Sequence, residues 1–270
     1  MKTKLLIPVI ALVLVGILVW SSGKGPAENG QTGTQTGTKD PGDCDSAATP
    51  EFCGLQKAIG RLGQAEYDPL AYKRIENNIA GFNALDATQR KILNDYLNTS
   101  YLGVLARTID RFCTTASQAD MGQAGNFENE LRMLEVARGS LELKNNLLVM
   151  LGSLKQAFVV YKKIQDYART RQYDAASFFE LQHQLSALAS KAALEKNSNV
   201  QELVAASAGI REALATLETS YEGLKEAEKN NDIERLKNGQ GNEAFYSINS
   251  GGGPFSNSFY KNEFNRIVNP

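Results

Sequence analysis

Histidine is almost absent from this sequence, because His183 is the only one among 270 residues. A single histidine excludes metal centres that need several imidazole ligands and mechanisms that need two. Glu180 and His183 form Glu-x-x-His, which is half of the motif pair of a di-iron helical bundle, and the second half is missing. His183 lies roughly 200° around a helix from both Leu181 and Leu185, so we expect it to face solvent. The sequence predicts no metal site.

Several other signals of function are missing as well. The nucleophile elbow Gly-x-Ser-x-Gly, the phosphate-binding Gly-x-x-x-x-Gly-Lys-Ser/Thr and the dinucleotide-binding Gly-x-Gly-x-x-Gly do not occur. Lys and Arg number 29 against 30 Asp and Glu, which leaves a net charge of -1. Such a surface does not concentrate polyanions. We therefore expect no enzyme, no cofactor and no nucleic-acid partner.

An apolar run from Leu5 to Trp20 follows two positive charges, Lys2 and Lys4. This order is typical of an export signal. Because positive charges stay on the cytoplasmic side, the rest of the chain is expected outside the cytoplasm. The sequence thus predicts contact with a membrane through residues 5–20.

Cleavage and retention of this segment both stay open, because its length lies between a signal-peptide core and a transmembrane helix. Cleavage would follow Ser21 or Gly23, but no Ala-x-Ala site precedes either residue. Trp20 suits a membrane interface and favours retention of residues 1–23 as a signal anchor. We predict a helical domain held at the cell surface or in a periplasm, and the alternative is secretion after cleavage.

Residues 24–52 predict a flexible linker, since Gly, Thr, Asp and Pro dominate and large apolar side chains are nearly missing. About thirty residues of this composition span roughly 30 Å, enough to hold a domain clear of a bilayer. A tether of this kind makes most sense if the anchor is retained.

Cysteine occurs three times, as Cys44, Cys53 and Cys113. Export to an oxidising compartment favours a disulfide, and three cysteines cannot all pair internally. We favour Cys44 with Cys53, which closes a short loop, over Cys53 with Cys113. Cys113 also falls on a helical apolar stripe, where it would be a small buried side chain.

Proline is absent between Pro69 and Pro254, and apolar residues recur at helical spacing through this stretch. The pattern predicts helices over residues 54–64, 68–81, 86–112, 126–171, 174–192 and 200–224. A loop is predicted over residues 118–126. The helix over 126–171 would be near 70 Å long at about 1.5 Å per residue, unless Gly139 or Gly152 bends it.

Asp68, Asp86 and Asp174 are the expected N-caps of three of these helices, because a carboxylate can accept hydrogen bonds from free N–H groups of the first turn. The pairs Tyr67-Asp68 and Tyr173-Asp174 introduce two of them in a similar way. This similarity is too short to indicate a repeat.

Long amphipathic helices with short connections predict an all-α fold over residues 53–237, an antiparallel helical bundle or helical-hairpin array. The stretch from Val200 to Leu224 repeats by three and four and resembles a coiled-coil seam. The simplest interpretation of this seam is the core of the chain's own bundle, and a second subunit is the alternative.

The tail over residues 238–270 combines Gly, Asn and Ser with many aromatic residues, which is unusual for a spacer. Ser256 is the expected cap of a short helix with a shared apolar face. This helix either packs on its own bundle or docks on a partner. The residues considered for docking are Phe255, Phe259, Tyr260, Phe264 and Ile267.

The anchor, linker, bundle and tail together predict a membrane-tethered scaffold, adaptor or accessory subunit that binds a protein partner or a second copy of itself. The alternative is a cleaved periplasmic or secreted protein whose helices enclose a ligand.

Overall fold

The computed structural model describes residues 49–234 and 256–268, and no β-strand occurs within these ranges. The prediction of an all-α fold is confirmed. The helices are α1 Pro50–Gln64, α2 Pro69–Gly81, α3 Ala87–Thr115, α4 Met121–Met133, α5 Leu141–Thr170, α6 Ala175–Ala189, α7 Ala192–Glu195, α8 Ser198–Lys229 and α9 Ser258–Val268. Turns of 3₁₀ helix at Gln118–Asp120 and Arg138–Ser140 precede α4 and α5.

Some predicted features fall outside the described residues. These are the signal or anchor segment 1–23, most of the linker 24–52, and the side chains of Cys44 and Phe255. Among the helices that the structure does describe, none has the length and apolar character needed to cross a membrane.

The predicted N-caps are confirmed at the starts of α2, α3 and α6. Asp68 accepts hydrogen bonds at 2.9 and 3.0 Å from two N–H groups in the first turn of α2. Asp86 forms a reciprocal capping box with Gln89 on α3, and Asp174 accepts from the first turn of α6 at 2.9 Å. These side chains satisfy donors that a helix end otherwise leaves free.

The connections α1–α2 and α5–α6 are built alike. Each starts from an extended residue after the helix, Ala65 or Arg171, and ends at the capping aspartate. Tyr67 and Tyr173 precede those aspartates. The sequence similarity between the two segments therefore corresponds to a shared local conformation.

The single helix predicted over residues 126–171 is wrong, because the chain leaves the helical path after α4. α4 begins at Met121, within the segment predicted to be a loop. Leu134 is extended and buried in the core, which pulls the backbone out of the helix. Its carbonyl accepts a hydrogen bond from the Lys144 ammonium at 2.7 Å, so a distant side chain caps the end of α4.

Smaller differences concern helix ends. α1 begins at Pro50, capped by Thr49, before the predicted start at Gly54. α6 ends at Ala189, and Ala192 belongs to the short α7. Gly139 lies in the 3₁₀ turn between α4 and α5, whereas Gly152 lies inside α5 without interrupting it.

The long helices α3 and α5 form the centre of a helical bundle. α3 contacts α1, α2, α4, α5, α7 and α8, and α5 contacts α4, α6, α8 and α9. Leu97 and Ile109 of α3 and Leu151 and Leu154 of α5 are fully buried. The periodic apolar residues are thus core residues of one bundle, as the spacing predicts.

The seam of α8 is buried within the chain itself. Val200, Ile210 and Leu214 are at most 1% exposed, and Leu224 is 3% exposed. α8 contacts α5, α6, α7 and α9. The simpler interpretation of the seam, a core face of the same bundle, agrees with this packing.

Two buried asparagines join helix ends in the same way. The Asn197 side-chain N–H donates to the carbonyls of Cys113 and Ala116 at the end of α3, and its oxygen accepts from the N–H of Val200 in α8. Asn257 donates to the carbonyls of Ala168 and Arg171 at the end of α5, and its oxygen accepts from α9. One amide thereby satisfies both the free carbonyls of one helix and a free N–H of another.

Candidate functional site

Of the two cysteines that the structure describes, one is in a disulfide and the other is a free thiol. Cys53, in α1, is disulfide-bonded. Cys113 is a free thiol buried in α3, and burial together with the charge of Asp110 raises its pKa to about 12. The alternative pairing of Cys53 with Cys113 is therefore wrong. The pairing with Cys44 stays a prediction, because Cys44 lies outside the described residues.

The aromatic tail residues lie mainly inside the chain's own fold. Tyr260, Phe264 and Ile267 are at most 4% exposed, and Phe259 is half-buried. α9, which carries them, packs against α8 and α5. The tail helix therefore packs on its own bundle, which is the first of the two predicted arrangements. The helix is capped by Asn257 rather than by Ser256, since the Asn257 oxygen accepts from the N–H of Tyr260 at 3.2 Å.

Hydrogen bonds also hold α9 in place. The Tyr260 hydroxyl donates to the Glu218 carboxylate of α8 and accepts from the N–H of Tyr173 at 2.8 Å. The Tyr221 hydroxyl donates to Glu263 at 3.1 Å. α9 is therefore held by hydrogen bonds as well as by apolar packing.

His183 is exposed on α6, as predicted, with its ring 6.2 Å from that of Phe179. No group of three or more His, Cys, Asp or Glu residues within the described ranges is placed to share a metal ion.

A cluster of tyrosines and glutamates brings together the α1–α2 connection with α2, α3 and α4. The Glu130 carboxylate, on α4, accepts a hydrogen bond from the Tyr67 hydroxyl at 2.5 Å and another from the Tyr101 hydroxyl on α3. The Tyr72 hydroxyl on α2 donates to the Asn98 side-chain oxygen at 2.8 Å. Every hydroxyl of this cluster thus has an oxygen partner.

The rings of the cluster are stacked. The centroids of Tyr72 and Tyr101 are 4.3 Å apart with the planes inclined by 23°, and Tyr67 follows at 6.4 Å from Tyr101. Phe127 meets Tyr67 edge-on at 5.5 Å. These contacts fix the orientation of the hydroxyls beside Glu130.

A cavity of about 270 Å³ opens beside this cluster. Tyr72 and Tyr101 form an aromatic wall, and the carboxylates of Glu76 and Glu130 supply negative charge. Met133 also lines the cavity, although it is 84% exposed. The site therefore combines a preformed aromatic surface, fixed carboxylates and a flexible apolar side chain.

The electrostatics of the cluster keep its tyrosines protonated. Burial, and then the charge of Glu76, raises the pKa of Tyr72 to about 12. Burial and the hydrogen bonds to Glu130 raise the pKa of Tyr67 and of Tyr101 well above the usual range. At neutral pH all three hydroxyls are protonated, so Tyr67 and Tyr101 donate and the Glu130 carboxylate accepts.

Two other cavities flank this region and are more polar. One of about 540 Å³ is lined by Asn94, Asp95 and Asn98, and one of about 370 Å³ by Arg107 and Arg111. Neither contains a stacked aromatic wall, so the Glu130 cavity is the best candidate for specific binding of these three.

No motif or spacing in the sequence marks the residues of this cavity as a site. Comparison of the chain with known protein families, with curated proteins and with solved structures finds no match. Functional inference therefore rests on the chemistry of these residues.

Proposed function

We propose that this chain is a non-enzymatic exported protein that works as a scaffold, adaptor or accessory subunit on the outer face of a membrane. In this proposal residues 5–20 stay in the membrane as an anchor and residues 24–52 act as the tether. The long helices, coiled-coil-like in sequence, supply a stiff body that presents a docking surface. Lys2 and Lys4 lie before the apolar run, and their positive charges support the proposed orientation. Trp20, which suits a membrane interface, supports retention of the anchor.

The observation that carries the docking role is the Glu130 cavity with its exposed apolar margin. Met133 is 84% exposed, and Leu70, next to the lining residue Pro69, is 72% exposed. Large apolar side chains beside a preformed pocket are typical of protein interaction sites, and methionine adapts to different partner shapes. A cavity of about 270 Å³ accommodates a protruding side chain of a partner protein.

A secreted or periplasmic ligand-binding protein is the second candidate, and the same cavity favours it. Its volume of about 270 Å³ is close to the lower limit of small-molecule sites, roughly 300 Å³. In this alternative the chain is cleaved after Ser21 or Gly23 and the ligand is a small solute.

Photo-crosslinking in intact cells tests the docking role. We expect a p-benzoyl-phenylalanine residue in place of Met133 to yield a discrete crosslinked protein, because the side chain would lie at the interface. Val149 of α5 is the matched control, since it is also apolar and is 61% exposed but lies outside the cavity.

The crosslinked species are compared by mass spectrometry. A protein captured at position 133 and not at position 149 supports docking at the cavity. The same set of products at both positions, or none at either, contradicts it.

A further inference from the structure

The charge of Glu130 is only partly compensated. Its two hydrogen-bond donors, Tyr67 and Tyr101, are neutral. No Lys, Arg or His within the described residues forms an ion pair with it, whereas Glu128 on the same helix pairs with Lys155 at 2.9 Å. Neutral hydroxyls orient a carboxylate, but a cation stabilises it more strongly in a partly desolvated site.

The chain already places one ammonium group in this environment. Lys73 lies 2.7 Å from the Glu76 carboxylate, and its nitrogen is 5.4 Å from the centre of the Tyr72 ring. An ammonium group within about 6 Å of the centre of an aromatic face has the usual geometry of a cation–π contact, and the carboxylate adds an ion pair. Lys73 lies at the cavity together with Glu76, so Glu130 remains as a second carboxylate without such a partner.

The rest of the cavity suits an aliphatic chain. Pro69, Met133 and Leu134 supply apolar surface, and the Tyr72–Tyr101 stack supplies aromatic surface. An extended methylene chain can contact these groups while its charged end reaches Glu130. The nearby Glu135, whose charge also acts on Tyr72, adds to the negative potential.

We propose that this cavity binds the side chain of a lysine presented by a protein partner, with the ammonium group paired to Glu130 and the methylene chain against Tyr72 and Met133. The inference rests on the proposed docking function and names the chemistry of the docked group. Charge complementarity favours a lysine over an apolar side chain. An apolar side chain would desolvate Glu130 without supplying a cation.

Methyl NMR of the full chain in detergent micelles tests this directly. The chain has 4 methionines, so methionine-methyl labelling gives few signals, and the Met133 signal is assigned from Met133→Leu. We expect N-acetyl-lysine-methylamide to shift the Met133 signal saturably. The signals of Met121 and Met150, which do not line the cavity, should stay in place.

Two comparisons isolate the charge. The norleucine analogue of the probe, which lacks the ammonium group, should bind at least tenfold more weakly to the unaltered chain. Glu130→Gln should weaken binding of the lysine probe at least tenfold, because the amide loses the charge and keeps one of the two oxygens that accept from Tyr67 and Tyr101. Glu128→Gln is the matched control and should bind the probe like the unaltered chain.

The outcomes distinguish the docking of a protein partner from the recognition of a lysine side chain. Equal binding of the norleucine and lysine probes overturns the cation site without requiring any variant to fold. Crosslinking at position 133 that persists in Glu130→Gln means that a partner docks but not through a lysine, and it overturns this inference alone. Binding of n-butylamine as tight as that of the lysine probe, with no crosslink at position 133, overturns the protein partner and favours a free amine ligand.

Discussion

Replacing Asn197 by alanine should lower the free energy of unfolding by about 3 kcal/mol. The Asn197 side chain is fully buried and bonds to the carbonyls of Cys113 and Ala116 at 2.8 and 2.9 Å. Alanine leaves both carbonyls without this donor and also removes the N-cap of α8. Buried polar groups without partners cost about 1 to 3 kcal/mol, and a lost cap costs about 1 kcal/mol. Urea denaturation followed by circular dichroism measures the change.

Two control variants show which contact matters. Asn197→Asp keeps an oxygen for the N–H of Val200 but turns a charge toward the α3 carbonyls, so it should destabilise at least as much as alanine. Asn199→Ala removes an exposed bond to the Thr115 carbonyl at 3.0 Å and a longer one to the Ala116 carbonyl at 3.4 Å, and it should cost under about 1 kcal/mol. If Asn197→Ala and Asn199→Ala have equal effects, Asn197 does not join α3 to α8 as described.

Replacing Phe264 by alanine should cost about 3 to 4 kcal/mol, provided that α9 unfolds together with the bundle. Phe264 is 3% exposed on the face of α9 that packs against α8 and α5. The truncation removes apolar burial and leaves a cavity that surrounding side chains fill only in part. The loss cannot exceed the free energy that holds α9 to the bundle, because beyond that value α9 simply detaches.

Lys261→Ala tests the same helix on its exposed face and should leave stability nearly unchanged. Thermal and urea unfolding of both variants are compared with the unaltered chain. An unchanged stability for Phe264→Ala would contradict integral packing of α9 and would favour the other arrangement predicted for the tail, docking on a partner.

The sequence was a good guide where a local signal determines local structure. The aspartates before α2, α3 and α6 cap helices through bonds within one turn, so their spacing alone predicts them. The apolar stripe of α3 is equally local, although Ile92, at the margin of the stripe, is 49% exposed.

The sequence was a poor guide where a distant group decides. Residues 126–171 contain no proline and repeat apolar residues at helical spacing, with one phase slip after Leu148. The break after Met133 depends instead on the burial of Leu134 and on Lys144, which caps α4 from another helix. Similarly, Ser256 and Asn257 are both good capping residues. Asn257 becomes the cap because its amide also satisfies carbonyls at the end of α5.

The candidate site could not have been predicted from spacing. Glu130 is separated by 63 residues from Tyr67 and by 29 from Tyr101, so their contact exists only after α4 packs beside α3. The chain has 30 acidic residues, and many of those in the described helices are exposed to solvent. In sequence they resemble Glu130. Only the folded chain distinguishes a carboxylate held by two tyrosines from the others.

The proposal that the bundle works while held at a membrane is tested most directly by intact-mass analysis of the mature chain, combined with membrane fractionation under alkaline carbonate wash. We predict that the mass includes residues 1–23 and that the chain stays in the washed membrane fraction. A mature mass that begins after Ser21 or Gly23, with the chain in the soluble exported fraction, would contradict the anchor and favour the secreted ligand-binding alternative.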